Sequence, residues 1–161
     1  MSVKQWIVVG YLLLIAMSLG AILVLGVFVT ATIFHSNEYL STVMLTHYDQ
    51  GLLMTEIFRR FAYFVTFLAL VVFVFEGNEY KRGRRDKIAM ISAFFIIVTS
   101  LMFSGVYTPE IMALQDQGME ATQSDAFANL HMGSEVDFKL LALSLAVMFI
   151  QRMRLMFVQK A

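Results

Sequence analysis

Apolar residues fall into four long runs that are separated by polar segments. The runs lie near Trp6–Phe34, Leu52–Phe75, Ile88–Tyr107 and Val136–Ile150. A helix that crosses a bilayer needs about 20 mostly apolar residues, and lipid accepts only helices or closed barrels because it cannot hydrogen-bond an open backbone. The short alternating segments typical of barrel strands are absent from this sequence. The pattern therefore predicts an all-α integral membrane protein.

The same runs predict one transmembrane domain over residues 1–161. We expect its helices at about 6–34, 52–76, 88–107 and 134–156. The segment 108–133 is then an outer connection, and Thr108-Pro109-Glu110 within it is typical of a helix start, since proline is favoured at the first helical position. No internal repeat is visible between the first two runs and the last two.

Outside the apolar runs, basic residues are confined to one side of the predicted membrane. Five of them crowd the loop between the second and third runs, whereas the segments 35–51 and 108–135 contain no Lys or Arg. By the positive-inside rule, this asymmetry predicts a four-helix antiparallel bundle with both termini in the cytoplasm. We expect it in the inner (cytoplasmic) membrane of the cell, and topology alone accounts for the basic loop. The basic residues outside the runs are Lys4, Lys81, Arg82, Arg84, Arg85, Lys87, Arg152, Arg154 and Lys160.

Composition narrows the classes of function. Of the 161 residues, 59% are hydrophobic and 15% are charged, against roughly 45–50% and 25% in soluble domains. The chain has no cysteine and a formal net charge of zero, so disulfides and thiol chemistry are excluded and nothing indicates nucleic-acid binding. No nucleophile–base set, glycine-rich phosphate loop or carboxylate pair is visible, which favours a non-enzymatic protein without a cofactor.

Charged side chains interrupt two of the runs. Glu56, Arg59 and Arg60 fall on one face of the second helix, and a Glu with Arg at i+3 and i+4 forms a local pair. An arginine at this depth costs at least ~2.5 kcal/mol unless it is paired or reaches the interface. Asp137 is the other acid at comparable depth, so we expect it to contact Arg59 or Arg60. By helical spacing, the inward face of the fourth helix holds Ser134, Asp137, Leu141, Ser144 and Met148.

Histidine and methionine raise a metal hypothesis. His47 and His131 lie on the predicted outer side with methionines nearby. Imidazole and thioether groups suit Cu(I), and imidazole also suits zinc. No H-x-x-x-H string is present, and scattered methionine in an apolar chain is more often packing material. The metal-free interpretation is favoured, and a copper or zinc site at His47 and His131 stays as its alternative.

The first helix carries small residues that permit close approach of another helix. Ala16 and Gly20 form a small-x-x-x-small pair. One interpretation is internal packing against a neighbouring helix. The other is contact with a second copy or with a larger membrane complex. The lipid bilayer is the expected partner in both cases.

Two polar segments resemble a known family. Tyr107–Ile111 and Phe127–Ser134 are similar to the T-P-x-I and F-x-x-L-H-x-x-S patterns of the transmembrane-protein-205-like family, small four-helix membrane proteins with a domain of unknown function. Relatives often have Asn shortly after the serine, where this chain has Asp137, so the resemblance implies a polar site of different charge. It implies four spans and no particular reaction. It marks Pro109, Phe127, Leu130, His131 and Ser134.

Taken together, these patterns predict a polar pocket at the outer end of the bundle that binds or moves a small ion or solute. The alternative is an accessory or assembly subunit of a larger membrane complex, in which the buried charges form a structural lock. A transport site needs access to water, whereas a lock is dry and fully paired. The residues expected to form the pocket are Glu56, Arg59, Arg60, Pro109, His131, Ser134 and Asp137.

Overall fold

Four long helices make up the structure. The computed structural model describes residues 3–158, with side chains described for residues 5–157. The helices that are long and apolar enough to cross a membrane are Gln5–Phe34, His47–Lys81, Lys87–Gln115 and Asp125–Phe157, called the first to fourth spans below. These spans confirm the prediction of an all-α protein with four apolar helices.

Two of the spans change helix type part of the way along. In chain order the elements are α1 (Val3–Leu23), a π-helical turn (Val24–Val29), α2 (Thr30–Phe34), α3 (His47–Lys81), α4 (Lys87–Met102), a second π turn (Phe103–Tyr107), α5 (Thr108–Gln115) and α6 (Asp125–Val158). Short 3-10 turns at Ser36–Glu38 and Ala121–Gln123 lie in the connections. The first and third spans therefore each contain one π turn, whereas the second and fourth are continuous α-helices.

Polar capping residues, not apolar content, set where the second and fourth helices begin. The second starts at His47, where Thr46 Oγ1 accepts a hydrogen bond from Asp49 N at 3.1 Å and Asp49 Oδ2 accepts one from Thr46 N at 2.9 Å. The fourth starts at Asp125, and Ser124 Oγ accepts a hydrogen bond from Phe127 N at 3.2 Å. Both helices are longer than the apolar runs because such caps satisfy the free N–H groups of a helix start.

An α-helical element begins at Thr108 with Pro109 in its first turn, as the sequence context predicts. This element, α5, follows the second π turn directly, so it extends the third span to Gln115. Within a regular α-helix a proline ring clashes with the carbonyl four residues earlier. The wider π turn before Pro109 changes the local spacing, so the third span runs on without a break.

The two π turns use the same hydrogen-bonding device. In the first, both the N–H and Oγ1 of Thr30 donate to the Leu25 carbonyl, and in the second the N–H and Oγ1 of Thr108 donate to the Phe103 carbonyl. The hydroxyl distances are 2.8 Å in both cases. Each turn also contains a glycine, a valine and an aromatic residue in succession. The first and third spans therefore share one short local motif, a π turn closed by a threonine.

The second and third spans are joined by a tight turn at residues 82–86. Gly83 adopts φ +81°, a conformation that glycine accepts readily, and Arg84 N donates to Glu79 O at 3.0 Å. Asp86 caps the third span by accepting a hydrogen bond from Ala89 N at 2.9 Å. We call this end of the molecule, with the C-terminal part of the fourth span, the basic end. The opposite end, which carries the segments 35–46 and 116–124, is called the acidic end.

The core lies between all four spans. Ile15, Leu68, Ile96 and Leu145 are fully buried, one from each span. The predicted inward face of the fourth span is confirmed at Asp137, Leu141, Ser144 and Met148, which are buried, whereas Ser134 is only half-buried. The outward faces are covered with exposed apolar side chains, as expected for contact with lipid. Examples are Leu70, Phe73, Ile91, Phe94, Leu143 and Ile150.

Candidate functional site

Glu56 holds both arginines of the second span. Its Oε2 accepts a hydrogen bond from Arg59 Nε at 2.7 Å, and its Oε1 accepts bonds from Arg59 Nη2 at 2.9 Å and Arg60 Nε at 2.8 Å. The exposed fractions of the side chains are 42% for Glu56, 38% for Arg59 and 76% for Arg60. The local pairing expected from the i+3 and i+4 spacing is therefore present, but the trio is open to its surroundings.

Glu56 and Arg59 also line a groove at the acidic end. The groove has a volume of about 160 Å³ and lies between the second span and the end of the third. Gln115 is buried, and its carbonyl accepts a hydrogen bond from Tyr48 Oη at 2.7 Å, which ties the two walls together. Arg60 is not part of the lining. The lining residues are Leu52, Thr55, Glu56, Arg59, Met112, Gln115 and Asp116.

The predicted contact of Asp137 with Arg59 or Arg60 is wrong. Both arginines bind Glu56, and Asp137 forms no ion pair with any of the residues that the structure describes. Its side chain is buried, and Oδ2 has no hydrogen-bond partner. Equal depth does not bring residues together, because the arginines lie on an exposed face of the second span while Asp137 faces the interior.

Aromatic side chains pack around Phe138, the residue that follows Asp137. The Phe138 ring lies 5.4 Å from that of Phe58 and 5.6 Å from that of Phe103 between centroids. The contact of Phe103 with Phe138 places Ser104, whose Oγ donates to the Ser100 carbonyl at 2.8 Å, near the level of Asp137. Ser100, one helical turn earlier, is fully buried, and its Oγ also lacks a hydrogen-bond partner.

The other predicted pocket residues lie apart from the groove. Pro109 is exposed on the third span. Ser134 Oγ donates to the carbonyl of His131 at 2.7 Å. His131 Nε2 lies 3.4 Å from Glu135 Oε1, and the His131 ring stacks on Phe127. Of the seven residues predicted to form one pocket, only Glu56 and Arg59 line the groove.

The two candidate metal ligands have different neighbours. The His47 ring lies 5.2 Å from that of Phe34, and His131 pairs with Glu135. Within the described part of the chain, no group of three or more His, Cys, Asp or Glu side chains is arranged to hold a metal ion. A copper or zinc site at these histidines stays a prediction without a supporting cluster.

A second charged cluster, not predicted from the sequence, closes the basic end. Arg152 on the fourth span donates to Glu76 on the second through Nε, at 2.9 Å, and through Nη2, and its Nη1 lies 3.7 Å from Glu79 Oε2. Tyr11 Oη on the first span donates to Glu76 Oε1 at 3.0 Å. Arg84 Nη1 binds Glu79 Oε2 at 3.0 Å. Glu76, Glu79 and Arg152 are each less than a tenth exposed, so this cluster is dry and paired.

Neighbouring contacts extend this basic-end cluster to the third span. Gln151 Nε2 donates to Asp86 Oδ2 at 2.9 Å. The Tyr11 ring stacks on Phe75 with centroids 3.8 Å apart, and the Arg152 guanidinium lies 5.3 Å from the centre of the same ring. The basic-end cluster and its immediate contacts thus join all four spans.

A sequence signal for the basic-end cluster existed. Glu76 and Glu79 follow the second apolar run at i, i+3 spacing, and Arg152 continues the inward face of the fourth span one turn beyond Met148. The positive-inside rule explained Arg152 by topology, so its burial was missed. A comparison of membrane depths would have revealed the ion pair, because Glu76 on the second span lies at the same depth as the inward-facing Arg152 on the fourth.

The fold and these clusters define a multi-pass helical membrane protein. Its chain belongs to the family of the domain of unknown function DUF4149, whose model matches residues 13–120. The match includes Glu56, Arg59, Glu76 and Ser100 and ends before Asp137. No curated protein and no solved structure gives a significant match to the chain. The likeness to the transmembrane-protein-205-like family remains a resemblance carried by the two short segments described above.

Proposed function

We propose that the protein is a non-enzymatic membrane protein that binds a small polar solute in the groove at the acidic end. The observation that carries this proposal is that Glu56, Arg59 and Asp116 all line one open groove between two spans. Arg59 donates to Glu56 through Nε and Nη2 and also interacts with Tyr63, and these partners hold its guanidinium at the groove wall. Asp116 forms no ion pair with other described residues.

The charges of the groove favour a solute that carries both signs. A guanidinium binds a carboxylate or phosphate through directed hydrogen bonds, and a carboxylate such as that of Asp116 attracts an ammonium group. The cavity volume of about 160 Å³ suits a small molecule. A small zwitterion therefore matches the groove better than a simple anion or cation.

Binding of β-alanine tests the groove directly. We expect the full chain in detergent to bind β-alanine more tightly than acetate or ethylamine, which each carry only one of its two charges. Arg59→Gln is expected to weaken β-alanine binding at least about tenfold, the equivalent of about 1.4 kcal/mol. Equilibrium dialysis with labelled β-alanine measures both effects.

Arg60→Gln is the matched control for this experiment. Arg60 binds the same Glu56 carboxylate but does not line the groove, so its loss is expected to change the affinity by less than about twofold, under 0.5 kcal/mol. Equal losses in the two variants would place the effect at Glu56 and contradict a role for Arg59. Equal affinity for β-alanine and its two halves would contradict a zwitterion site.

We further propose an antiparallel bundle with both termini in the cytoplasm and the groove on the outer side of the inner membrane. The supporting observation is that the basic residues of the connection 81–87 and of the C-terminal part of the fourth span lie at the basic end, whereas the segments 35–46 and 116–124 contain none, as the positive-inside rule requires. Because the chain has no cysteine, single cysteines report topology. Cysteines at Ser41 and Gln123 are expected to react with a membrane-impermeant maleimide from outside the cell, and one at Arg85 only after lysis. The reverse pattern would overturn the orientation.

The alternative proposal is an accessory subunit of a larger membrane complex. Two observations favour it: the basic-end cluster is dry and paired, as in a structural lock, and the small-residue face of the first span is not filled from within. A Cβ at Gly10 or Gly20 would meet nothing within 4 Å. Purification in mild detergent with mass analysis separates the proposals, because a subunit co-purifies with a partner that is lost in Gly20→Leu.

A further inference from the structure

Asp137 is the buried acid that neither the groove nor the basic-end cluster uses. It is 9% exposed, and Oδ2 has no hydrogen-bond partner. An isolated ionised carboxylate in an apolar environment is so costly that it is found neutralised or paired, and ionisable residues inside membrane spans mark functional sites. The side chain therefore requires something that the described residues do not supply.

No charged side chain from the surrounding helices faces Asp137. On the second span Glu56, Arg59 and Arg60 bind one another at an exposed surface. On the fourth span Glu135 and Lys139 pair at 3.0 Å on the opposite, exposed face. The stretches of the first and third spans at this depth, 22–30 and 98–106, contain no charged residue. Among the described residues, the buried side-chain oxygens without a hydrogen-bond partner are Asp137 Oδ2 and Ser100 Oγ.

Both π turns lie beside this part of the fourth span. Gly26 in the first π turn lies against the Phe138 ring. A Cβ added at Gly26 would lie 3.8 Å from Phe138 Cε1. The Phe103 ring in the second lies 5.6 Å from that of Phe138 in a tilted arrangement, and Tyr107 packs on Gly133. π turns are rare and are frequent at functional sites. Two of them on different helices pack against the residues that flank the unpartnered carboxylate of Asp137, which is an independent indication of a site.

We propose that Asp137 is a proton-binding residue that takes up and releases one proton inside the helices. On uptake one O–H bond forms at a carboxylate oxygen and the negative charge is lost; on release that bond breaks and the proton returns to water. This site is separate from the groove and does not depend on solute binding there.

A proton fits the side chains at this site better than a metal ion. The described residues supply one carboxylate here, whereas Ca²⁺ takes about 6–8 oxygen ligands, and the aromatic rings packed around the adjacent Phe138 offer none. A proton needs no coordination shell and neutralises the single negative charge completely. Asp137 then stays within an apolar environment without a counter-ion.

Infrared spectroscopy of the full chain in dodecyl maltoside, a detergent without a carbonyl group, tests the proposal. At neutral pH we expect one carbonyl stretching band of a protonated carboxylic acid in an apolar environment. The band is lost in Asp137→Asn and kept in Glu135→Gln, which removes an exposed, paired acid two residues away. In D₂O the band shifts to lower frequency, because an exchangeable proton is replaced by deuterium.

A second measurement removes any dependence on the folding of the variant. Aspartate carrying ¹³C in its side-chain carboxyl, incorporated into the unmodified chain, is expected to shift the same band. Absence of the band would show that Asp137 is ionised and overturn the proposal. A band that does not move in D₂O would show a sealed acid that exchanges no proton. Loss of the band on adding Na⁺ at constant pH would assign the site to sodium instead.

Discussion

Replacing Arg152 with Gln is expected to lower the free energy of unfolding by about 3–5 kcal/mol, because removing one partner of a buried ion pair leaves a buried charge without compensation. Arg152 holds Glu76 through two hydrogen bonds and also lies close to Glu79. Its loss leaves Glu76 with Tyr11 alone. Thermal or denaturant unfolding in detergent, followed by circular dichroism, measures the change.

Arg154→Gln is the matched control, since it removes the same charge from an exposed position one half-turn further along the same helix. We expect it to change stability by less than about 0.5 kcal/mol. The double variant Glu76→Gln/Arg152→Gln is expected to recover part of the loss, because no unpaired charge remains at that pair. Equal effects of Arg152→Gln and Arg154→Gln would contradict the burial of the basic-end cluster.

Replacing Gly133 with Leu is expected to lower stability by about 1–3 kcal/mol relative to an equivalent change at an open glycine, as overpacking does. A Cβ at Gly133 would lie 2.9 Å from Cε1 of the Tyr107 ring and 3.2 Å from its Oη. The ring must then move, and with it the contact between the third and fourth spans next to the second π turn.

Gly10→Leu supplies the comparison, because a Cβ there meets nothing within 4 Å. Both changes gain the same intrinsic helix propensity, about 1 kcal/mol over glycine, so their difference isolates the clash. Tyr107→Ala in the Gly133→Leu background is expected to restore part of the stability. If Gly133→Leu were as stable as Gly10→Leu, the close contact with Tyr107 would be contradicted. The stability of these glycine variants is measured by the same unfolding assay in detergent as that of the Arg152 variants.

The four spans could be predicted from apolar runs because a bilayer imposes both a length and a helical backbone. The helix starts were less accessible to this reasoning. His47 and Asp125 begin helices in polar sequence, where capping by Thr46 and Ser124 decides the boundary. The π turn at Phe103–Tyr107 let the third span continue through Pro109, and no hydrophobic pattern records a change of helix type.

The candidate sites were only partly predictable, because the spacing of residues along one helix does not give its contacts with another helix. Helical spacing correctly predicted that Asp137, Leu141 and Met148 face the interior of the bundle. Spacing does not say which face of the second span meets the fourth, so the partner assigned to Asp137 was wrong. Arg152 was missed for a different reason: a basic residue at a span end satisfies the topology rule whether it is exposed or buried, and only packing distinguishes the two.

The placement of the ion pairs has a mechanical consequence. Among the described residues, the pairs that join different spans lie at the basic end, between Arg152 and the acids of the second span, whereas those toward the acidic end stay within single helices. These ion pairs thus hold the second and fourth spans together at the basic end. Glu56 lies twenty residues from Glu76 along one helix, about 30 Å at 1.5 Å per residue. A small change of tilt at the basic end is multiplied over that length, and the two groove walls then move as one unit, because Tyr48 ties the second span to the end of the third.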